Sequence, residues 1–146
     1  EKTRALVYLC ALVPQQGKAF ADFRNDAISP AVSETQTVDR AAGATHVIPD
    51  KAADVFYFDC SEEDRTFALA RLSPQPIAPL IEPLEFDVPN CPRHYIRCQT
   101  DRVVMPAYQQ AVSQNWPHVH TMQTGHSPFF SDPTGLAAIL HRIAQA

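Results

Sequence analysis

Two residues whose types could do chemistry, Asp101 and His126, each stand in a loop between a strand-like and a helix-like run. Asp101 follows Tyr95-Ile96-Arg97-Cys98-Gln99-Thr100, and His126 lies within Thr124-Gly125-His126-Ser127-Pro128-Phe129. A carboxylate that accepts the Nδ1–H of an imidazole fixes the tautomer and stabilises imidazolium, which frees Nε2 to act as a general base. Open α/β sheets place their ligands in loops at the carboxyl ends of strands, which is where both residues fall. If the pair forms, His126 Nδ1 is expected within about 3.2 Å of an Asp101 carboxylate oxygen. The plainer alternatives are a capping Asp101 and a surface or otherwise satisfied His126.

The elements that must position the pair can be read on either side of it. His118 to Gln123 reads as a strand ending at the histidine loop. After the loop, Ser131 or Asp132 suits an N-cap and Pro133 the first helical position. Leu136, Ile139, Leu140 and Ile143 then fall on one helical face. His94 to Cys98 reads as a strand, and Pro106 to about Trp116 as a helix with Ala107, Gln110 and Ala111 inward and Trp116 a further candidate for that face. Ala5 to Val13 is apolar without alternation, as in a parallel strand covered on both faces. Residues 14 to 50 show no clear periodicity, and Val55-Phe56-Tyr57-Phe58 is a short aromatic run. Ser61 followed by Glu62, Glu63 and Asp64 reads as an N-cap with an acidic first turn, opening a helix to about Leu72. Pro74, Pro76, Pro79, Pro83 and Pro89 make a proline-rich return. Strands alternating with helices predict a parallel sheet. The stretch between the first two strands is too long for a simple crossover and reads as an inserted, mostly helical cap.

Composition narrows the class. The chain has 146 residues, 45% of them apolar and 19% charged, which suits one globular domain. A net charge of −4 gives no electrostatic footprint for nucleic acid, and no apolar run is long enough for a membrane helix. Lys2, Arg4, the apolar run and Ala19-Phe20-Ala21 have the order of a signal peptide. The shortness of the run and the lack of an initiator Met favour a strand from Arg4 to Cys10 instead. A chain opening so close to a strand looks like a piece of something longer. The spacing Cys91-x-x-His94-x-x-x-Cys98 lacks the paired short cysteine spacings of zinc modules, so no metal and reduced thiols are expected.

Four stretches resemble the α/β-hydrolase family, in the group of plant methylesterases, hydroxynitrile lyases and bacterial esterases. They are Ala5–Pro14, Val55-Phe-Tyr-Phe-Asp-Cys60, Tyr95–Arg102 and Thr124–Phe129. The resemblance covers nearly the whole chain, in the family's order, including acid before histidine. It implies a partial α/β-hydrolase fold: three parallel strands with flanking helices, the sixth to eighth of the family's sheet. Residues 1–14 and 91–146 would be the C-terminal part of the core, and residues 15–90 the cap. It implies Asp101 as triad acid and His126 as triad base.

The family's nucleophile is a serine on a G-x-S-x-G-like elbow, and none of Gly17, Gly43, Gly125 and Gly135 builds one. The nucleophile and oxyanion donors are therefore expected upstream, with the missing N-terminal half of the fold as partner and the chain alone inactive. Hydroxynitrile lyases carry Lys just after the catalytic His. Ser127 stands there, which favours ester hydrolysis over lyase activity. Leu12, Val13, Val104 and Phe129 are candidates for the substrate pocket. The implied substrate is a small hydrophobic ester, with no cofactor, no nucleic acid or membrane partner, and a cytoplasmic location. Competing readings are a non-catalytic small-molecule receptor of the same fold, and an unrelated small α/β domain with Asp101 and His126 far apart.

Overall fold

A computed structural model describes residues 3–87 and 90–146. Lys2 of the leader-like pattern and Pro89 of the proline-rich return lie outside the described residues. In chain order, strand β1 (Leu6–Leu9) leads through a short 3₁₀ turn (Phe20–Asp22) to helices α1 (Arg24–Ala27) and α2 (Ala31–Glu34). Strands β2 (Gln36–Asp39) and β3 (Ala44–Val47) precede α3 (Pro49–Phe56) and α4 (Glu62–Leu69). Strand β4 (Gln75–Pro76) and α5 (Ala78–Ile81) follow. The chain closes with β5 (Arg93–Cys98), α6 (Pro106–Ser113), β6 (His118–Met122), α7 (Pro128–Ser131) and α8 (Pro133–Gln145).

Strands β1, β5 and β6 form one parallel sheet in the order β1-β5-β6, with Tyr8 opposite Tyr95 and Tyr95 opposite Val119. The expected three parallel strands are thus present. Helix α8 covers one face. Its N-cap Asp132 accepts from the Gly135 amide at 2.9 Å, and Leu136, Ile139 and Ile143 pack on Ile96 and Met122. Leu140, expected on the same face, is 41% exposed, because the buried stripe is only one residue wide at that turn. On the other face Tyr95 is fully buried between Tyr8 and Trp116, and its hydroxyl donates to the Ala11 carbonyl at 2.6 Å.

Helix α6 is turned from the expected orientation. Ala107, Gln110 and Ala111 are exposed, while Gln109 and Ser113, four residues apart, are buried. Polar groups take the inward face because each has a partner there. Gln109 Oε1 accepts from the Cys98 amide at 2.8 Å, and Ser113 Oγ accepts from Arg97 Nε at 2.8 Å.

Between β1 and β5 the regular elements are mostly short helices, joined by a small antiparallel sheet, β2-β3-β4, that the sequence pattern did not reveal. Gly43, at φ 62°, supplies the left-handed residue its tight turn needs. The aromatic run Val55–Phe58 straddles the end of α3. No described helix is long and apolar enough to cross a membrane.

A histidine cluster sits at the start of β5 and β6, the opposite end of the strands from Asp101 and His126. His94 Nδ1 and His120 Nε2 are 3.2 Å apart, and the His94 and His118 rings stack at 4.5 Å. Burial first, then His118 and His120, holds the His94 pKa below its usual 6.5. Burial, then Arg142 and His118, does the same for His120. The unfolded chain therefore takes up protons on these groups before the folded one does. Their stabilising contribution is complete above about pH 6.5 and is lost as pH falls from there through the folded-state values. The thermal midpoint should be lower at pH 5 than at pH 7.5, and His94→Gln/His120→Gln should narrow that gap. An unchanged gap in the double variant would assign the acid sensitivity to other groups.

Candidate active site

Asp101 lies just beyond the end of β5, and its side chain has no exposed surface. Every direction around its carboxylate has a donor. Oδ1 accepts from the Val103 and Val104 amides at 2.7 and 3.1 Å. Oδ2 accepts from Gln109 Nε2 at 3.0 Å and from His126 Nδ1 at 3.0 Å. The four donors fix the plane of the carboxylate. The loop carrying it is tied down in turn. The Ser29 amide donates to the Val103 carbonyl at 2.9 Å, and the Met105 amide to the Ala27 carbonyl at 2.8 Å.

His126 follows β6, three residues before the middle of α7, and keeps 26% of its side chain exposed. With Nδ1–H given to Asp101, the neutral tautomer leaves Nε2 as the basic nitrogen. Asp101 and His126 are thus together, which removes the reading that set them far apart.

The imidazole lines a cavity of about 720 Å³. Its walls are mainly apolar, with Leu12, Phe20, Phe56, Val104 and Leu80 among them, and Arg24 is the one arginine or lysine there. Of the four pocket candidates, Leu12 and Val104 line this cavity and Val13 and Phe129 do not. Val13 is held by its amide, which donates to the Tyr108 hydroxyl at 3.2 Å. Phe129 is 51% exposed and packs edge-on against Phe130.

Cys10, Asp101 and His126 place ligand-type atoms within 4.8 Å of one another, the one such trio among the described residues. Cys10 follows β1 in the left-handed region at φ 36°, a strained conformation for a residue with a side chain. A hydrogen bond with Cys98, then burial, pushes its thiol pKa up. Its Sγ donates to the His126 carbonyl at 3.5 Å. A protonated thiol beside an already paired His and Asp is a poor metal ligand and a poor nucleophile. Cys91, His94 and Cys98 do not form a cluster among the described residues. Ser127 is 2% exposed, and its hydroxyl is committed to the Phe56 carbonyl at 2.9 Å.

Sequence reasoning missed Gln109 and the contact made by Asp59, whose Oδ2 accepts from the Gly125 amide at 2.5 Å. The spacing of Gln109 and Ser113 was a usable signal for the first. Asp59 lies in the resembling stretch Val55–Cys60, but nothing local marks its partner.

A buried acid and a histidine thus stand together at successive strand ends, beside an apolar cavity between the sheet and the inserted helices. These residues form the C-terminal part of an α/β-hydrolase fold. The chain is 97% covered by a pyrethroid hydrolase from Sphingobium faniae JZ-2, at a TM-score of 0.82 and 21% identity, spanning 61% of that chain. It matches the methylesterase protein MES16 from Arabidopsis at a TM-score of 0.74 and 23% identity, spanning 58% of that chain. In sequence it is 30% identical over 105 residues to methylesterase 18 of Arabidopsis thaliana, a match that takes in 67% of this chain. It spans 40% of that relative's length and 38% of methylesterase 17's. No family model matches the chain.

Proposed function

We propose that this chain supplies the acid, base and substrate-covering cap of a serine carboxylesterase. The observation that carries the reading is the fully donor-saturated Asp101 carboxylate receiving His126 Nδ1 at 3.0 Å, beside an apolar cavity lined by the same imidazole. Residues 1–14 and 91–146 act as the core portion and residues 15–90 as the cap. Asp101 orients the imidazole. His126 Nε2 takes the proton of a serine hydroxyl as it attacks the ester carbonyl, and returns it to the departing alkoxide. That serine and the oxyanion donors belong to the N-terminal half of the fold, because Ser127 and Cys10 are occupied as described. The relatives bear names of methylesterases and a pyrethroid hydrolase, which supports an ester substrate. The apolar lining supports a small hydrophobic one, bound without a cofactor. A cytoplasmic setting belongs to the same reading.

The test is complementation. The 146-residue chain alone should turn over p-nitrophenyl butyrate no faster than free imidazole. Joined to, or co-expressed with, an N-terminal half carrying the elbow serine, it should hydrolyse the ester and take up a fluorophosphonate label on that serine. Oxyanion donors account for about 10²–10³ of the rate difference. Saturable turnover by the chain alone, abolished at Cys10 or Ser127, would mean the nucleophile is misplaced. A complemented protein that binds small esters without cleaving them would be a receptor.

A further inference from the structure

The stretch Val55-Phe-Tyr-Phe-Asp-Cys60 has no part in the acid and base chemistry, yet it touches both loops that carry them. On the histidine side, the Gly125 amide donates to Asp59 Oδ2 at 2.5 Å, and Ser127 Oγ donates to the Phe56 carbonyl at 2.9 Å. His126 is therefore pinned through the residue before it and the residue after it. The Phe56 ring meets the imidazole edge-on, with centroids 6.0 Å apart. On the aspartate side, the Arg102 guanidinium lies 3.7 Å over the Phe58 ring and donates to the Asp54 carbonyl at 3.1 Å. The approach is close enough to require glycine at 125. A Cβ there would stand 2.6 Å from Phe58 Cε1 and 2.7 Å from Asp59 Oδ1.

We propose that Asp59 is a positioning residue for the base: its carboxylate holds the Gly125 amide and so sets where the His126 imidazole stands between Asp101 and the substrate. The inference rests on the reading of Asp101 and His126 as acid and base. A charged acceptor on a backbone N–H makes a short, strong bond. The other bonds on the N-terminal side of His126 among the described residues are neutral and one residue further off: the Thr100 amide donates to the Thr124 carbonyl at 3.1 Å, and the Thr124 hydroxyl donates to Cys98 Sγ at 3.4 Å. Without it the loop is free to shift the imidazole, and a displacement near 1 Å at a catalytic group costs about 10²-fold in rate.

The test uses the complemented enzyme and the ester assay above. Asp59→Ala should lower kcat roughly 10- to 100-fold with little change in KM. Asp59→Asn, whose amide oxygen can still accept from Gly125, should recover most of that loss. Gly125→Ala should reproduce the Asp59→Ala defect. In the double variant the two losses should not add, because both act on the same contact. By proton NMR, the hydrogen-bonded His126 Nδ1–H should be protected from exchange in the native protein and in Asp59→Asn, and unprotected in Asp59→Ala. Asp59→Ala with native kcat would overturn the proposal. Equal losses in Asp59→Ala and Asp59→Asn would also overturn it, since they would mean that charge and not anchoring matters. If Asp59→Ala does not fold, Asp59→Asn and Gly125→Ala decide: a native rate in Gly125→Ala, or a protected Nδ1–H in it, rejects the assignment. His126→Ala, run alongside, separates the two readings. An active His126→Ala removes the esterase assignment itself, whereas an inactive His126→Ala with an active Asp59→Ala removes only the role of Asp59.

Discussion

His126→Ala in the complemented enzyme is expected to lower kcat for p-nitrophenyl butyrate by about 10⁴- to 10⁶-fold. The serine hydroxyl is a weak nucleophile while it keeps its proton, and the imidazole is the group that takes it. No neighbour can substitute. The Cys10 thiol is held protonated, Asp101 is enclosed by donors, and the Ser127 hydroxyl is committed to the Phe56 carbonyl. Folding should survive the change, since the imidazole is partly exposed and the helices on either side have their own cores. The melting curve is the control. An enzyme that keeps its rate after this change would not be a hydrolase of the assigned mechanism.

Asp101→Asn is expected to cost about 10⁴-fold in kcat, with the cause visible in the donor pattern. Asparagine can turn its oxygen toward the Val103 and Val104 amides, which need an acceptor. Its NH₂ group then faces Gln109 Nε2 and His126 Nδ1, where the carboxylate now accepts from both. Donor meets donor at Gln109. At His126 the imidazole must switch to the tautomer that accepts at Nδ1 and carries its proton on Nε2, which cannot then accept one from serine. Turning the amide the other way leaves two backbone amides without an acceptor in a buried site, at a cost in stability. Either way at least one of the four bonds fails. The pH–rate profile and the melting midpoint, measured together, report which. A rate within tenfold of native, with native stability, would remove Asp101 from the mechanism.

The parts of the fold that could be read in the sequence were those with strong local signals. Pro133 after Asp132 marks the start of α8, and strand–loop–helix alternation marks β5, α6, β6 and α8. Asp101 and His126 were legible because they sit where such loops always fall. The inward face of α6 was not, because its buried residues are Gln109 and Ser113 and hydrophobic periodicity is blind to polar groups with partners. The antiparallel sheet was not, because β2 and β3 have four residues each, too short for alternation to register. Asp59 was not, because its partner Gly125 is 66 residues away, and no spacing rule carries that far.

The close of α3 does two jobs with one piece of chain. Phe56 is a wall of the cavity, and its carbonyl, with Asp59, holds the residues on either side of His126. Selectivity and turnover therefore share a mutational address. A laboratory or evolutionary series that enlarges the cavity at Phe56 to admit bulkier esters keeps that carbonyl but removes the ring that meets the His126 imidazole edge-on, and so unsettles the base as it moves the wall. Improved acceptance at that position will arrive with lower turnover, whereas Leu80 and Val32 line the same cavity from the inserted segment and are the places to change substrate alone.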